Sequence, residues 1–352
     1  MLRRDVLRTG LRAGAAVALG GWPLKARAAD RPFTFTSWGG VLSETEKNAF
    51  TAPFAQMKGI TIANTSPTET AKIKAMVEAK HVEWDTVTVG GNVCWQGERE
   101  GFLETLDFAK IPNAKNLKRD WVAPTGIATS TGATVIGWST NAVPADAGPQ
   151  SWTDFWDVKR FPGRRGLYAN FTYNYEAALL AAGTPRSEVY PVTPEKIETV
   201  FAKLKELKPH IAVWWSAGAQ PPQLLSTGEL ALSSVWTGRV LAAAAEGAPV
   251  AHTYRDGIAW ANWWVVPKGT PYLDIAHELF NFALTEEAQV KLLPLKTYGP
   301  VLQSAAAKAS PEEQRIQVMA PDNVKNMLII NEHEVDKYVT TYPDRFTQMK
   351  LG

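Results

Sequence analysis

An α/β fold is predicted by two features of the 352-residue chain. Short apolar runs rich in β-branched and aromatic residues alternate with stretches of helical period, the pattern of strands and helices taking turns in one sheet. Two of the strand-like runs stop at glycine pairs, Gly39-Gly40 and Gly90-Gly91. At this length a single hydrophobic core is no longer comfortable, and two domains are expected.

The elements follow in order. Phe33-Thr34-Phe35-Thr36 reads as a first strand, ending at Ser37-Trp38-Gly39-Gly40. Ser43, with Glu46 three residues on, is a capping-box pattern and predicts a helix over 43–57. A second strand is expected at 60–63, a second helix over 68–80 carried by Ile73, Met76 and Val77, and a third strand at 85–89, ending at Gly90-Gly91-Asn92. In open α/β sheets ligands bind outside the carboxyl ends of strands, where glycine lets backbone N–H groups approach them. Tight turns account for the same glycines, and the pattern leaves both readings open. The run 132–138 reads as a strand, 144–148 as turns, and Trp152 to Trp156 as a short helix. Pro194 in the first turn opens an amphipathic helix over 193–207. Further elements are expected over 224–232 and 235–245, an aromatic strand over 258–267, and one long helix over 272–293. Strand alternation puts Trp263 and Trp264 on opposite faces, so one of the two is expected in the core.

Charge is unevenly spread. Residues 1–28 hold Arg3, Arg4, Arg8, Arg12, Lys25 and Arg27 against Asp5 alone, a net +5 that turns the formal +2 of the chain into −3 for the remainder. A charged start, an apolar run over 13–19 and Ala26-Arg27-Ala28 predict an export signal cleaved near Ala28. Arg3-Arg4-Asp5-Val6-Leu7-Arg8 resembles the twin-arginine motif, with a Sec signal or a retained basic helix as the alternatives. No later segment reaches the roughly 18 apolar residues that span a bilayer, so a soluble periplasmic product is expected. A net −3 without a Lys/Arg block argues against nucleic acid as partner. The single cysteine, Cys94, forms no intrachain bridge, and its neighbours Val93 and Trp95 mark it as a packed thiol.

Little in the chain is assembled for bond-making. The histidines at 81, 210, 252, 277 and 333 lack metal-type spacing, and no G-x-S-x-G elbow, P-loop or G-x-G-x-x-G after a strand occurs. The expectation is a protein that is not an enzyme and holds no metal and no cofactor. Tryptophan is the abundant chemistry: 14 residues, clustered at 214, 215, 236, 260, 263 and 264. These rings suit the packing of alkyl chains or the holding of cations over their faces.

The order and spacing of several blocks carry a resemblance. They are the leader, the Ser37-Trp38-Gly39-Gly40 opening, the run 225–232 followed by Val235-Trp236-Thr237-Gly238-Arg239, the block 258–268 around Trp260-Ala261-Asn262, and Lys296-Thr297-Tyr298-Gly299-Pro300. Together they resemble the periplasmic substrate-binding proteins of ABC transporters, most nearly the spermidine/putrescine-binding branch. The resemblance implies a two-lobed periplasmic-binding-protein fold with crossing hinge strands and an interlobe ligand cleft. Lobe one would comprise 29–132 plus 262–302, and lobe two 133–261 plus 303–352. It implies a monomer that captures a small amine- or carboxylate-bearing solute, polyamine-like or γ-amino acid-like, by lobe closure and delivers it to an ABC permease in the inner membrane. A sensory binding lobe and a secreted enzyme on the same fold are the rival readings.

Polyamine binders of this family hold ammonium groups with acids, one of them two residues after the tryptophan matched by Trp260. Here that position is Asn262, which still accepts a hydrogen bond but gives up roughly 1–2 kcal/mol of charge assistance. The resemblance also places Arg239 in the cleft, where its fork suits a carboxylate or phosphate. Its alternative role is a structural ion pair with Glu229 or Asp256. The implied surroundings are Trp38, Trp236 and Trp260 around the alkyl part of the ligand, with Tyr298 from the last block. Gly39, Gly40, Gly91, Asn92, Ser216 and Gln220 would supply backbone or amide contacts. Glu69 and Glu176 are further acids whose positions the sequence does not fix.

Overall fold

The computed structural model describes residues 31–295 and 298–352. The export signal expected over 1–28 lies outside the described residues, as do Lys296 and Thr297. Eleven strands form one mixed sheet: β1 (Phe33–Thr36), β2 (Ile62–Thr65), β3 (Thr86–Gly90), β4 (Val122–Ala123), β5 (Gly126–Ser139), β6 (Arg165–Tyr168), β7 (Ile211–Trp215), β8 (Leu232–Trp236), β9 (Val250–Val265), β10 (Gly299–Pro300) and β11 (Leu328–Ile329). The hydrogen-bonded order is β2-β1-β3-β9-β5-β8-β6-β7. Pairs β1/β2, β1/β3, β6/β7 and β6/β8 are parallel, whereas β9 runs antiparallel to both β3 and β5, and β8 antiparallel to β5.

Strands β5 and β9 are the longest, at 14 and 16 residues, and lie at the centre of the order. Each feeds two apolar clusters. Ile127 and Ala128 of β5 and Trp263, Trp264 and Val265 of β9 pack with Phe35, Phe50 and Phe54. Ile136 and Trp138 of β5 and Ile258 and Trp260 of β9 pack with Trp152, Phe201 and Tyr338. Every residue of β5 is buried, which is why the sequence marks only its 132–138 part: a strand covered on both faces carries no polar alternation to follow.

The same double covering corrects the reading of the tryptophan pair. Trp263 and Trp264 are both fully buried, one on each face, and Trp264 meets Phe35 and Phe50 edge-on at 5.0 and 5.3 Å.

Two helix expectations are also corrected. The helix expected to open at Ser43 starts at Gly40 (Gly40–Glu46), passes through a π segment (Lys47–Thr51) and continues as Ala52–Lys58. Ser43 Oγ accepts from the Gly39 N–H at 2.9 Å, while Glu46 turns into the core rather than back to a cap. There its carboxylate accepts from Ser37 Oγ, Thr88 Oγ1 (2.8 Å) and Trp264 Nε1 (2.9 Å). The long helix over 272–293 breaks into Leu273–Ala283 and Glu286–Val290, because Thr285 takes an extended conformation and caps the second piece by accepting from Ala288 N at 3.3 Å. The helices Trp152–Trp156 and Pro194–Leu207 form as expected, each capped by the preceding hydroxyl, Ser151 or Thr193.

Candidate ligand cleft

A cavity of about 590 Å³ opens where the carboxyl ends of β1, β3, β6 and β8 face the middle of β9. Parallel strands deliver their C-terminal loops to one edge, which makes this edge the natural ligand site of an α/β sheet. Trp38 and Gly39 come from the end of β1, Gly90 and Asn92 from β3, Tyr168 to Tyr173 from β6, Trp236 and Arg239 from β8 and the helix that follows it (Thr237–Ala245). Trp260, Ala261 and Asn262 of β9, Tyr298, and Glu332 of the helix Glu332–Thr341 complete the wall.

The aromatic part is a connected surface. Trp260 lies 6.3 Å from Trp236, 6.3 Å from Tyr173 and 6.5 Å from Tyr298, and Tyr168 joins Trp236 (5.6 Å) to Tyr173 (5.9 Å), all between ring centroids. Glycines set two of these rings. A Cβ at Gly132 would collide with the Trp260 ring, and one at Gly218 would sit 2.5 Å from Trp236 Cε3. Trp260 is further held by its Nε1–H donating to Thr134 Oγ1 at 3.2 Å. The Trp236 Nε1–H is enclosed and has no acceptor among the described residues. Trp38 is the exception in this group, 47% exposed at the mouth.

Arg239 lies over the backbone of Gly40, its Nη2 3.6 Å from where a Cβ would stand there. Gly40 has φ of 58°, a left-handed conformation that favours glycine. Neither structural ion pair considered for Arg239 forms. Asp256 is engaged by Arg186 at 3.4 Å, Glu229 accepts from Thr227 Oγ1 at 3.3 Å, and among the described residues no carboxylate reaches the Arg239 guanidinium. Its charge acts on Tyr298, whose hydroxyl is pushed up to about 12 by burial and pulled back by the arginine.

Glu332 is the acid of the cleft. Its carboxylate accepts one backbone bond, from Asn92 N at 3.2 Å, and its pKa is pushed up to about 8, first by burial and then by the charge of Glu176. Gly91 makes room for it: a Cβ there would collide with Glu332 Cγ and stand 2.5 Å from Trp263 Nε1. Asn262 donates from Nδ2 to Ser130 Oγ at 3.0 Å, and among the described residues no donor reaches its Oδ1.

Eight of the twelve residues singled out in the sequence line this cavity: Trp38, Gly39, Asn92, Trp236, Arg239, Trp260, Asn262 and Tyr298. Gly40 and Gly91 stand directly behind it, under Arg239 and Glu332. Ser216 and Gln220 do not line it. The Gln220 side chain closes its own loop, accepting from Ser216 N (3.1 Å) and Ala217 N (3.2 Å), and the segment reaches the cavity through Gly218. Of the two unplaced acids, Glu69 is exposed outside it, and Glu176 is fully buried behind it, accepting from Tyr190 Oη (2.7 Å) and Tyr338 Oη (2.9 Å). Sequence reasoning missed Tyr168, Glu332 and Lys350. Only Tyr168 carried a signal, an aromatic closing a strand before Ala169-Asn170.

A family model for bacterial extracellular solute-binding protein matches residues 49–318. A gamma-aminobutyric acid-binding protein of Pseudomonas aeruginosa is 35% identical over 303 residues, 85% of each chain. A spermidine/putrescine-binding periplasmic protein of Escherichia coli is 25% identical over 265 residues, 72% of this chain and 74% of that one. An ABC transporter substrate-binding protein of Bradyrhizobium japonicum superposes with a TM-score of 0.85 at 34% identity, covering 90% of this chain and 98% of that structure. No helix among the described residues is long and apolar enough to cross a membrane. Strand-end loops converging on an aromatic cavity with one unpaired guanidinium therefore belong to a carrier of small solutes, and the chain is a member of the bacterial extracellular solute-binding protein family, the solute-capturing component of an ABC importer.

Proposed function

We propose that the solute is a small ω-amino acid of the 4-aminobutyrate type. The observation that carries this reading is Arg239, a cleft guanidinium to which no carboxylate among the described residues is paired, standing one turn after Trp236 on the cavity wall. Such a donor suits a ligand carboxylate, which takes charge-assisted bonds most strongly from an arginine fork. The ammonium end is met by Glu332 and the faces of Tyr173 and Trp260. The acid absent at Asn262 is thus present at 332, on a different element. The named ligand of the Pseudomonas relative agrees with this class of solute.

Capture then proceeds by population shift. Ligand binds the open form and favours a closed one in which residues from both lobes, 29–132 plus 262–302 and 133–261 plus 303–352, contact it. The exported chain, cleaved near Ala28, acts as a monomer and hands the solute chemically unchanged to a permease. Titration calorimetry with 4-aminobutyrate tests the reading. The Arg239→Ala variant is expected to bind about a hundredfold more weakly, the loss of a charge-assisted pair. Unchanged affinity in that variant removes the anchoring role, and tight putrescine binding by the unmodified protein overturns the assignment of an anionic ligand group.

A further inference from the structure

The cavity extends past the aromatic rings to a second basic side chain. Lys350, in the last turn of the helix Pro343–Leu351, lines it together with the loop 169–173. Phe346 of the same helix stacks on Phe171 of that loop at 5.0 Å, so the two walls are held as one piece. Lys350 Nζ donates to Ala169 O at 2.6 Å. That uses one of its three N–H groups, and among the described residues no carboxylate pairs with it. Thr172 and Thr347 border the same space, and neither hydroxyl makes a hydrogen bond within the protein among the described residues. The ammonium also lies 4.8 Å over the centre of the Phe346 ring, and with its remaining N–H groups and the two hydroxyls it can donate to an acceptor in the cavity. Burial moves the Lys350 pKa down, the direction expected of an ammonium short of a counter-charge.

The order of charges along the cavity then matters. Arg239 stands beside Tyr298, and the rings lead from Tyr298 through Trp260 to Tyr173 in steps of 6.5 and 6.3 Å, next to the loop that Lys350 holds. Glu332 and Tyr173 line the middle of this row together, and the phenol pKa is raised first by burial and then by the Glu332 charge. The cleft therefore runs basic, acidic, basic. A four-carbon amino acid matches only the first two, and about 590 Å³ is the size of a site for a much larger solute.

Resting on the reading of Arg239 and Glu332 given above, we propose that Lys350, with Thr172 and Thr347, forms a second anion subsite, and that the ω-amino acid taken here carries a carboxyalkyl group on its nitrogen, a secondary ammonium with a carboxylate on either side. The nitrogen sits at Glu332 and the rings, the first carboxylate at Arg239, and the second at Lys350. Two probes separate the layers of this assignment: 4-aminobutyrate, with one carboxylate, and N-(2-carboxyethyl)-4-aminobutyrate, with two. Calorimetry on the unmodified protein is expected to give at least tenfold tighter binding of the second probe, the worth of one charge-assisted pair. In Lys350→Met the ratio of the two dissociation constants is expected to fall to near one, and in Lys350→Arg to be kept. A melting curve on each variant reports whether the lost bond to Ala169 has loosened the helix, and Lys350→Arg keeps that bond available. Equal affinity for the two probes in the unmodified protein, or a ratio that survives Lys350→Met, overturns the second subsite while leaving the ω-amino acid reading in place. Failure of both probes to bind overturns both.

Discussion

Glu46 and Glu332 are both enclosed carboxyls, on opposite sides of β3, and they differ in how many donors surround them. Glu46 collects Ser37, Thr88 and Trp264 and is pushed up only to about 7. Glu332, buried at the cavity wall, has the single N–H of Asn92, faces the charge of Glu176 and rises to about 8. Burial penalises the charged form of each, and hydrogen bonds to the carboxylate offset that penalty. The difference in donors, three against one, marks Glu46 as a carboxyl satisfied within the fold and leaves Glu332 with capacity for a cationic partner.

The comparison is broken most directly by Glu46→Ala, which strands three core donors. Urea unfolding is expected to show a loss of about 3 kcal/mol, with solute affinity of the folded protein changed less than threefold. If affinity collapses while stability holds, Glu46 is a ligand group and the contrast fails.

Glu332→Gln is the mirror experiment. The amide replaces a group already largely protonated at neutral pH, so the melting temperature is expected to hold or rise. Affinity for a cationic solute drops about tenfold, near 1.4 kcal/mol. A destabilised protein with unchanged affinity would place Glu332 among the structural acids.

Both carboxyls have folded-state pKa values above the ordinary 4.5. The folded state therefore holds protons that the unfolded state has released between about pH 4.5 and 8. Stability contributed by the protonated forms is complete below this window and falls as pH rises through it, by on the order of 1 kcal/mol per pH unit for each group titrating alone. In melts from pH 5 to 8 the unmodified protein is expected to lose ground relative to Glu332→Gln, and a saturating cationic solute to flatten that difference. A stability gap that grows toward acid would reverse the sign and sink the account.

The smallest effect sharpens the contrast. Ser37→Ala removes one of the three donors to Glu46 and is expected to cost about 1 kcal/mol and to move the Glu46 titration upward, toward that of Glu332. A carboxyl signal followed by NMR that does not move would show that donor number is not what separates the two sites.

Much of this was legible in the chain. Strands that end in Gly-Gly or in Trp-Thr-Gly announced both the sheet and the edge where Trp38, Asn92, Trp236 and Arg239 meet, because backbone conformation and strand period are local properties. Strand lengths were not. β5 and β9 are covered on both faces, so the polar alternation that marks a strand's ends is missing from much of them. The capping-box reading of Ser43 and Glu46 failed because a tertiary site claimed Glu46 first. Glu332 and Lys350 carry no motif at all. They reach the cleft because the helices Glu332–Thr341 and Pro343–Leu351 dock there, the first through Arg99 pairing with Asp336 and Trp95 stacking on His333, the second through Phe346 on Phe171 and Arg345 on Glu198, and such docking is decided by partners that lie 147 to 240 residues away in sequence.

The placement of β9 between β3 and β5 has a consequence for how the chain is made. β3 ends at Gly90, yet the strand that covers its open edge begins only at Val250. For some 160 residues of synthesis the N-terminal strands present unpaired backbone and a half-built core to their surroundings. Long loop closure of this kind slows folding and exposes the nascent chain to aggregation. The chain therefore has a late commitment point, near residue 265, before which no fragment can complete the apolar cluster around Phe35 and Phe50.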